Sequence, residues 1–214
     1  MRQAGFLGCA SVALFSFLLS GCVGISSSPS PRFYMLNSTT REKAIEKIDI
    51  TPGVIVAIGP VSIPEYQDRP QIVTRDKNGM LKFSQFDRWG ESLDSALASQ
   101  INNNLAVILP AASFQIFPCN FAIPLDYQVI ISVIQLDSEL DKDMVLTAQW
   151  SIIDAKKRDM LFTKRSQFIQ PIKPHNYSGL TQALNTACAT LSSEIAGNLA
   201  KLTNQSKAIK NKQS

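Results

Sequence analysis

The chain has 214 residues, 45% of them hydrophobic, and a formal net charge of +4 at pH 7. This length allows one domain with a substantial core. The excess of basic residues is too small and too dispersed to indicate a protein that binds nucleic acid.

The first predicted element is an export signal, residues 1–21. A basic residue, Arg2, precedes an apolar stretch that ends in small residues, which is the arrangement of a secretory signal. The stretch is too short and too often interrupted by glycine and serine for a stable membrane-spanning helix. Leu19-Ser20-Gly21-Cys22 matches a lipobox, so we expect cleavage before Cys22 and acylation of its thiol. The alternative is an ordinary signal peptide followed by a chance cysteine.

The mature protein is therefore expected to be held on a membrane. More than one acyl chain on a single cysteine gives durable attachment. Mature residue two is Val23, and not the aspartate that commonly retains lipoproteins in the inner membrane. We therefore expect the outer membrane, with the domain facing the periplasm. Residues 22–32, rich in serine and proline, are predicted to form a lipidated tether with no core of its own.

The folded domain is predicted to span residues 33–203 and to begin with strands. Phe33-Tyr34-Met35-Leu36 indicates a short strand, and the β-branched run 54–58 indicates a strand buried on both faces. The apolar runs 72–75 and 80–83 flank Asp76-Lys77-Asn78-Gly79. An Asn-Gly pair between two such runs is a strong signal for a β-hairpin.

From Ser92 onward, helical and strand periods alternate. An apolar stripe with helical spacing consists of Leu93, Ala96, Leu97, Ile101, Leu105 and Ile108. Short strands are predicted at 114–117, 127–136 and 161–169, and strict alternation over 144–152 predicts a strand with one buried face. A second helical stripe consists of Leu180, Leu184, Ala187, Leu191, Ile195 and Leu199.

Two amphipathic helices must cover a sheet, because neither buries its apolar stripe alone. We therefore predict a single α/β domain, with a mixed, mostly antiparallel sheet of about seven strands covered by two amphipathic helices. Residues 204–214 are predicted to form a polar, basic tail that is solvated and frayed. Weak attraction of this tail to anionic surfaces is the alternative.

Two unmodified cysteines, Cys119 and Cys188, remain after the predicted processing. An oxidising periplasm permits a disulfide between them, which would stabilise the fold by about 4 kcal/mol. However, Cys188 lies on the apolar stripe of the second predicted helix, where a free cysteine packs as a small hydrophobe. The sequence leaves both alternatives open.

The sequence contains few residues suited to catalysis. His175 is its only histidine, no serine lies in Gly-x-Ser-x-Gly, and no Cys/His spacing is typical of a metal site. We therefore expect no enzymatic activity, no cofactor and no metal ion. A hydrolase that uses the carboxylates of Asp68, Asp87 and Glu91 is the remaining catalytic alternative.

The polar residues that stand out lie between the first strands and the first helix. Tyrosine, tryptophan and arginine are the residue types that anchor interfaces. We therefore predict a partner-binding surface formed by Tyr66, Asp68, Arg69, Arg75, Arg88, Trp89 and Glu91. In the alternative interpretation, the charged groups of Asp68, Arg69, Arg88 and Glu91 only pair with one another and tie the loop to the helix.

The same segments resemble a family signature. The signature opens with Phe33-Tyr34-Met35-Leu36 and continues with Gly59-Pro60-Val61, the run 64–75 (PEYQDRPQIVTR) and Arg88-Trp89-Gly90-Glu91-Ser92-Leu93. This order is similar to that of the ABC-type transport auxiliary lipoproteins, the PqiC/YmbA-like family of MCE systems. Gly90 and Ser92 depart from the family, which prefers alanine and proline there.

The resemblance implies an outer-membrane lipoprotein of an ABC/MCE-type intermembrane lipid transport system. In that role the protein would dock a periplasmic MCE-domain protein as a scaffold subunit without catalysis. Further candidate partners are phospholipid and additional copies of the chain, in a homo-oligomer, but no nucleic acid. The alternative function is a general cell-envelope lipoprotein that stabilises another outer-membrane assembly.

Overall fold

Residues 29–36, 46–119 and 124–213 are described by the structure, a computed structural model, and side chains are described as far as Lys207. The predicted signal peptide, Cys22 and most of the tether lie outside the described residues. All described strands and helices belong to one compact unit, Pro31–Ser214. Neither of its described α-helices is both long and apolar enough to cross a membrane.

The described part of the chain contains eight strands, two α-helices and a short 3-10 helix. In chain order they are β1 (Arg32–Tyr34), β2 (Ile55–Ser62), the 3-10 helix (Glu65–Gln67), β3 (Gln71–Arg75), β4 (Leu81–Trp89), α1 (Leu93–Ile108), β5 (Ser113–Ile116), β6 (Tyr127–Ser138), β7 (Asp143–Asp154), β8 (Asp159–Pro171) and α2 (Tyr177–Gln213).

The strands form two sheets, and both are mixed. The large sheet has the order β5-β2-β6-β7-β8, in which β2 is parallel to both neighbours and β6, β7 and β8 form an antiparallel meander. The small sheet has the order β1-β4-β3. Within it, β1 is parallel to β4, whereas β3 and β4 are the predicted antiparallel hairpin.

The core lies where the two helices cover the large sheet. Every residue of the two predicted helical stripes is at most 3% exposed. On β7, the alternating residues Met144, Leu146, Ala148, Trp150 and Ile152 are also buried. The α/β class and the two covering helices are thus confirmed. The structure has eight strands in two sheets, where the sequence predicts a single sheet of about seven, because β1, β3 and β4 pair only with one another.

The C-terminal segment and the cysteines also differ from part of the expectation. The predicted tail, 204–214, continues α2 as far as Gln213, and residues 204–207 are exposed. Cys119 and Cys188 are both free, so the structure does not contain the disulfide that was one of the two alternatives. Cys188 is fully buried in the core, and this burial raises the pKa of its thiol to about 12.

Candidate functional site

All seven residues predicted to bind a partner lie on the small sheet or in the segments next to it. The 3-10 helix and the turn after it carry Tyr66, Asp68 and Arg69, just before β3 begins. The ends of β3 and β4 carry Arg75, Arg88 and Trp89, and Glu91 lies between β4 and α1. The structure gives these residues three different kinds of surroundings.

Tyr66 and Arg75 meet at a carboxylate that the sequence analysis did not single out, Asp137 near the end of β6. The Tyr66 hydroxyl donates to Asp137 Oδ1 at 3.2 Å, and Arg75 Nη2 donates to the same oxygen at 2.8 Å. Gln135 Nε2 donates to Asp137 Oδ2 at 2.8 Å. Beside this cluster, the buried Gln67 donates through Nε2 to the backbone oxygen of Leu136 at 2.7 Å. These bonds fasten the 3-10 helix and the end of β3 to the large sheet.

The protonation states in this cluster support a positioning role. Burial pushes the pKa of Asp137 upward, but hydrogen bonds from Gln135 and Arg75 outweigh it and hold the pKa below its usual value. Burial raises the pKa of Tyr66, which keeps its hydroxyl protonated. Asp137 is therefore an ionised acceptor with three donors, so its carboxylate is well satisfied within the domain.

Trp89 belongs to the core. Its side chain is 6% exposed and belongs to the buried hydrophobic core. Its neighbour Arg88 is half-buried. Successive side chains of a strand point to opposite faces, and Trp89 lies on the same inner face as the buried Asp87. The expectation that Trp89 is an exposed anchor is therefore wrong.

Asp87 forms a second cluster, which joins β1 to β4. Its Oδ1 accepts from Arg32 Nε at 2.7 Å and from the Tyr34 hydroxyl at 3.0 Å. Its Oδ2 accepts from Arg32 Nη2 and from Ser84 Oγ, both at 2.9 Å. The hydrogen bond from Arg32 is the main cause that lowers the pKa of Asp87. This bidentate pair fixes the chain at the point where the predicted tether ends.

Asp68, Arg69 and Glu91 are exposed. The Arg69 guanidinium carbon lies 4.6 Å from the centre of the Phe83 ring, which is a cation–π contact. Within the described part of the chain, none of these three charged groups takes part in an ion pair. The interpretation in which they neutralise one another therefore does not describe this fold.

The carboxylates of the hydrolase alternative have dissimilar surroundings. Asp87 is buried and accepts from donors of three side chains, whereas Asp68 and Glu91 are exposed. None of the three lines the cleft of about 610 Å³ between residues 51–54, the β7–β8 turn and α2. Among the described residues, no group of three or more His, Cys, Asp or Glu side chains is arranged to hold a metal ion.

The two departures from the family signature have local explanations. A methyl group added at Gly90 would lie 2.9 Å from Met35 Cγ, so the alanine that the family prefers requires Met35 to move. Ser92 occupies the N-cap position of α1, but its hydroxyl donates to Ser95 Oγ at 2.9 Å and not to the helix backbone. The helix therefore begins at the predicted position, but its first turn lacks the usual hydrogen bond from an N-cap side chain.

Comparison with known proteins decides the family. A model of the family described as "ABC-type transport auxiliary lipoprotein component" matches residues 34–196. The chain belongs to this family. The match thus covers β2 to β8, α1 and about the first half of α2, so both sheets of this auxiliary lipoprotein lie almost entirely within the family's domain.

Solved structures similar to this auxiliary lipoprotein have the same fold at low sequence identity. An uncharacterised protein is 15% identical with a TM-score of 0.65, and the match covers 80% of this chain and 99% of that chain. A protein from Xanthomonas campestris is 13% identical with a TM-score of 0.60, over 83% and 99% of the two chains. A search of curated protein sequences found no match.

Proposed function

We propose that this auxiliary lipoprotein is acylated at Cys22, stands on the outer membrane facing the periplasm, and docks an MCE-domain protein of an intermembrane lipid transport system. The observation that carries the proposal is the set of exposed signature charges, Asp68, Arg69 and Glu91, which have no ion-pair partner within the described domain. Charges presented in this way steer and orient a partner of complementary charge.

The segment that carries Asp68 and Arg69 is held in place from both sides. On one side, Tyr66 and Gln67 bond to the end of β6. On the other side, the backbone N–H of Trp89 donates to the backbone oxygen of Pro70 at 2.8 Å. A surface ordered before binding loses less conformational freedom when the partner arrives. Tyr66, Arg75 and Trp89 therefore support docking indirectly, by positioning the exposed charges.

The role of a scaffold also agrees with the chemistry of the site. The carboxylates near it, the buried Asp87 and the half-buried Asp137, each accept hydrogen bonds from three side chains of the protein itself. A carboxylate used as a general base needs a free lone pair directed at a substrate proton. We therefore assign this surface to binding and not to catalysis.

Capture of the MCE-domain protein by charge-reversed variants tests the docking surface. We expect Arg69→Glu to weaken capture about tenfold or more, because the substitution reverses one of the three exposed charges of the docking surface. Arg165→Glu is the matched control, because Arg165 is also exposed but lies on β8 of the other sheet. Equal capture of both variants at the wild-type level would remove Arg69 from the interface. Crosslinked pull-down from envelope membranes, read by mass spectrometry, would then identify the actual partner.

Labelling and fractionation test the membrane assignment separately. We expect incorporation of radioactive palmitate into the wild-type protein and its loss in Cys22→Ser. The variant Val23→Asp should shift the protein from the outer to the inner membrane fraction if the aspartate rule applies. A protein that takes up no palmitate and fractionates in the same way with Cys22→Ser would contradict the lipoprotein assignment.

A further inference from the structure

Two exposed aromatic side chains lie on one side of the small sheet. Phe33 on β1 is 65% exposed, and Phe83 on β4 is 49% exposed. We call this surface the outer face and define it by Phe33, Gln71, Phe83 and Arg88. Exposed aromatic side chains that lie close together are typical of a surface that contacts a membrane or another protein.

The strand register places these four residues on one side of the sheet. Phe33, Arg88 and Gln71 form a row across the three strands. The register of β3 and β4 then shifts, and Phe83 lies opposite the buried Val73 in the next row. Because β3 advances from Gln71 to Val73 in two residues, the two rows are about 7 Å apart. The other side of the sheet faces the core with Asp87 and Trp89.

Positive charge accompanies the aromatic rings. The half-buried Arg88 lies in register with Phe33, and Arg69 covers part of the Phe83 ring at 4.6 Å. Arg69 thus marks the border between the outer face and the docking surface. Aromatic rings beside arginine are the composition of segments that lie in the boundary between lipid headgroups and acyl chains. Anionic headgroups supply the complementary charge.

The position of the tether adds an independent constraint. Ten residues separate Cys22 from Arg32, so an acyl anchor at Cys22 lies at most about 35 Å from the sheet. Arg32 is clamped to Asp87, and Phe33 comes next in the chain. The tether therefore reaches the domain at the edge of the outer face, which holds this face close to the bilayer.

We propose that the outer face rests on the anionic phospholipid surface in which Cys22 is anchored, with Phe33 and Phe83 in the headgroup boundary and Arg88 near the phosphates. This inference rests on the acylation of Cys22 in the proposed function. It deepens that function, because it fixes which side of the domain faces the membrane and leaves Asp68 and Glu91 available to a protein partner.

A fluorescent reporter on the full, lipidated mature chain tests the proposal. Phe33→Trp places the reporter on the outer face, and Met160→Trp is the matched control, since Met160 is 64% exposed but lies on the large sheet. Both variants are reconstituted in vesicles of phosphatidylethanolamine and phosphatidylglycerol, with or without bromine on the acyl chains. The signal is the tryptophan fluorescence that each variant adds to that of the wild-type protein. We expect the brominated lipid to quench this added emission about twofold for Phe33→Trp, because side chains in the interface lie about 5–10 Å below the membrane surface. The added emission of Met160→Trp should be unchanged.

The possible failures are distinguishable. If the protein floats with the vesicles but the Phe33→Trp emission is quenched no more than that of Met160→Trp, the outer face does not touch lipid and this inference falls while the anchor stands. If wild-type protein does not float with the vesicles, both the anchor and the inference fail. If Phe33→Trp is shielded from aqueous iodide only after the MCE-domain protein is added, the outer face is a protein interface and the inference is overturned.

Discussion

Replacement of Trp89 tests whether this side chain belongs to the core or to a binding interface. The Trp89 side chain is 6% exposed, and a buried aromatic side chain removes about 150–250 Å² from water. At about 25 cal/mol per Å², this burial contributes about 4–6 kcal/mol. The indole Nε1 has no hydrogen-bond partner among the described residues, and such a buried donor costs about 1–3 kcal/mol. Truncation to alanine removes both contributions, so we expect Trp89→Ala to lower the free energy of unfolding by about 3 kcal/mol.

The same reasoning predicts a milder effect of Trp89→Phe, which keeps most of the ring and removes the unpaired N–H. For a domain of this size, 3 kcal/mol corresponds to a fall in Tm of about 6–12 °C. Urea denaturation followed by circular dichroism, on chains that also carry Cys22→Ser, measures the difference. Arg69→Ala is the comparison, and it should change the free energy of unfolding by no more than about 1 kcal/mol, the value of an exposed cation–π contact. If Trp89→Ala costs less than about 1 kcal/mol, the assignment of Trp89 to the core is refuted.

Three further predictions concern the buried polar groups and the thiols. Since the pKa of Asp87 is lowered by folding, its contribution to stability should be present above about pH 4 and disappear as the pH falls through the folded-state pKa. The difference in urea midpoint between wild type and Asp87→Asn should therefore narrow in acid, and a constant difference would contradict this account. Tyr66→Phe and Asp137→Ala should each destabilise the domain by about 1–2 kcal/mol, and their effects should be non-additive in a double-mutant cycle because the two groups share one hydrogen bond. In a folded chain carrying Cys22→Ser, a maleimide should label Cys119 and not the buried Cys188, and mass spectrometry showing rapid labelling of both would refute the packing of Cys188.

The helices were predictable because their signal is local. The stripe from Leu93 to Ile108 repeats within four residues, and the same is true of the stripe in α2. The hairpin between β3 and β4 was also predictable, since Asn78 and Gly79 form its turn and Gly79 adopts a positive φ of 83°. In each case, residues close in sequence determine the structure.

The two clusters that organise the candidate site depend on long-range pairing. Asp137 meets Tyr66 across 71 residues, and Asp87 meets Arg32 across 55 residues. Neither contact follows from hydrophobic periodicity. β1 has only three residues, and it pairs with β4 although β2, which lies between them in the sequence, belongs to the other sheet. The burial of Trp89 was missed for the same reason. The Trp89 side chain lies on the inner face of the sheet because it is two residues after Asp87, whose carboxylate Arg32 holds on that face. The family signature shows which residues recur but not which face of the sheet their side chains occupy.

The clamp between Arg32 and Asp87 has a mechanical consequence. β1 is parallel to β4, so tension applied through its N-terminus acts along the strand and strains the Asp87 pair together with the backbone bonds between the strands. Charge-assisted, bidentate bonds are among the strongest that side chains form. The other acceptor contacts of Asp87 reach Ser84 on the same strand and Tyr34 on β1. A pulling force on this end of the chain would thus act on β4, the central strand of the small sheet. There it would load the hydrogen bonds of Asp87 together, so that no single bond carries the whole force.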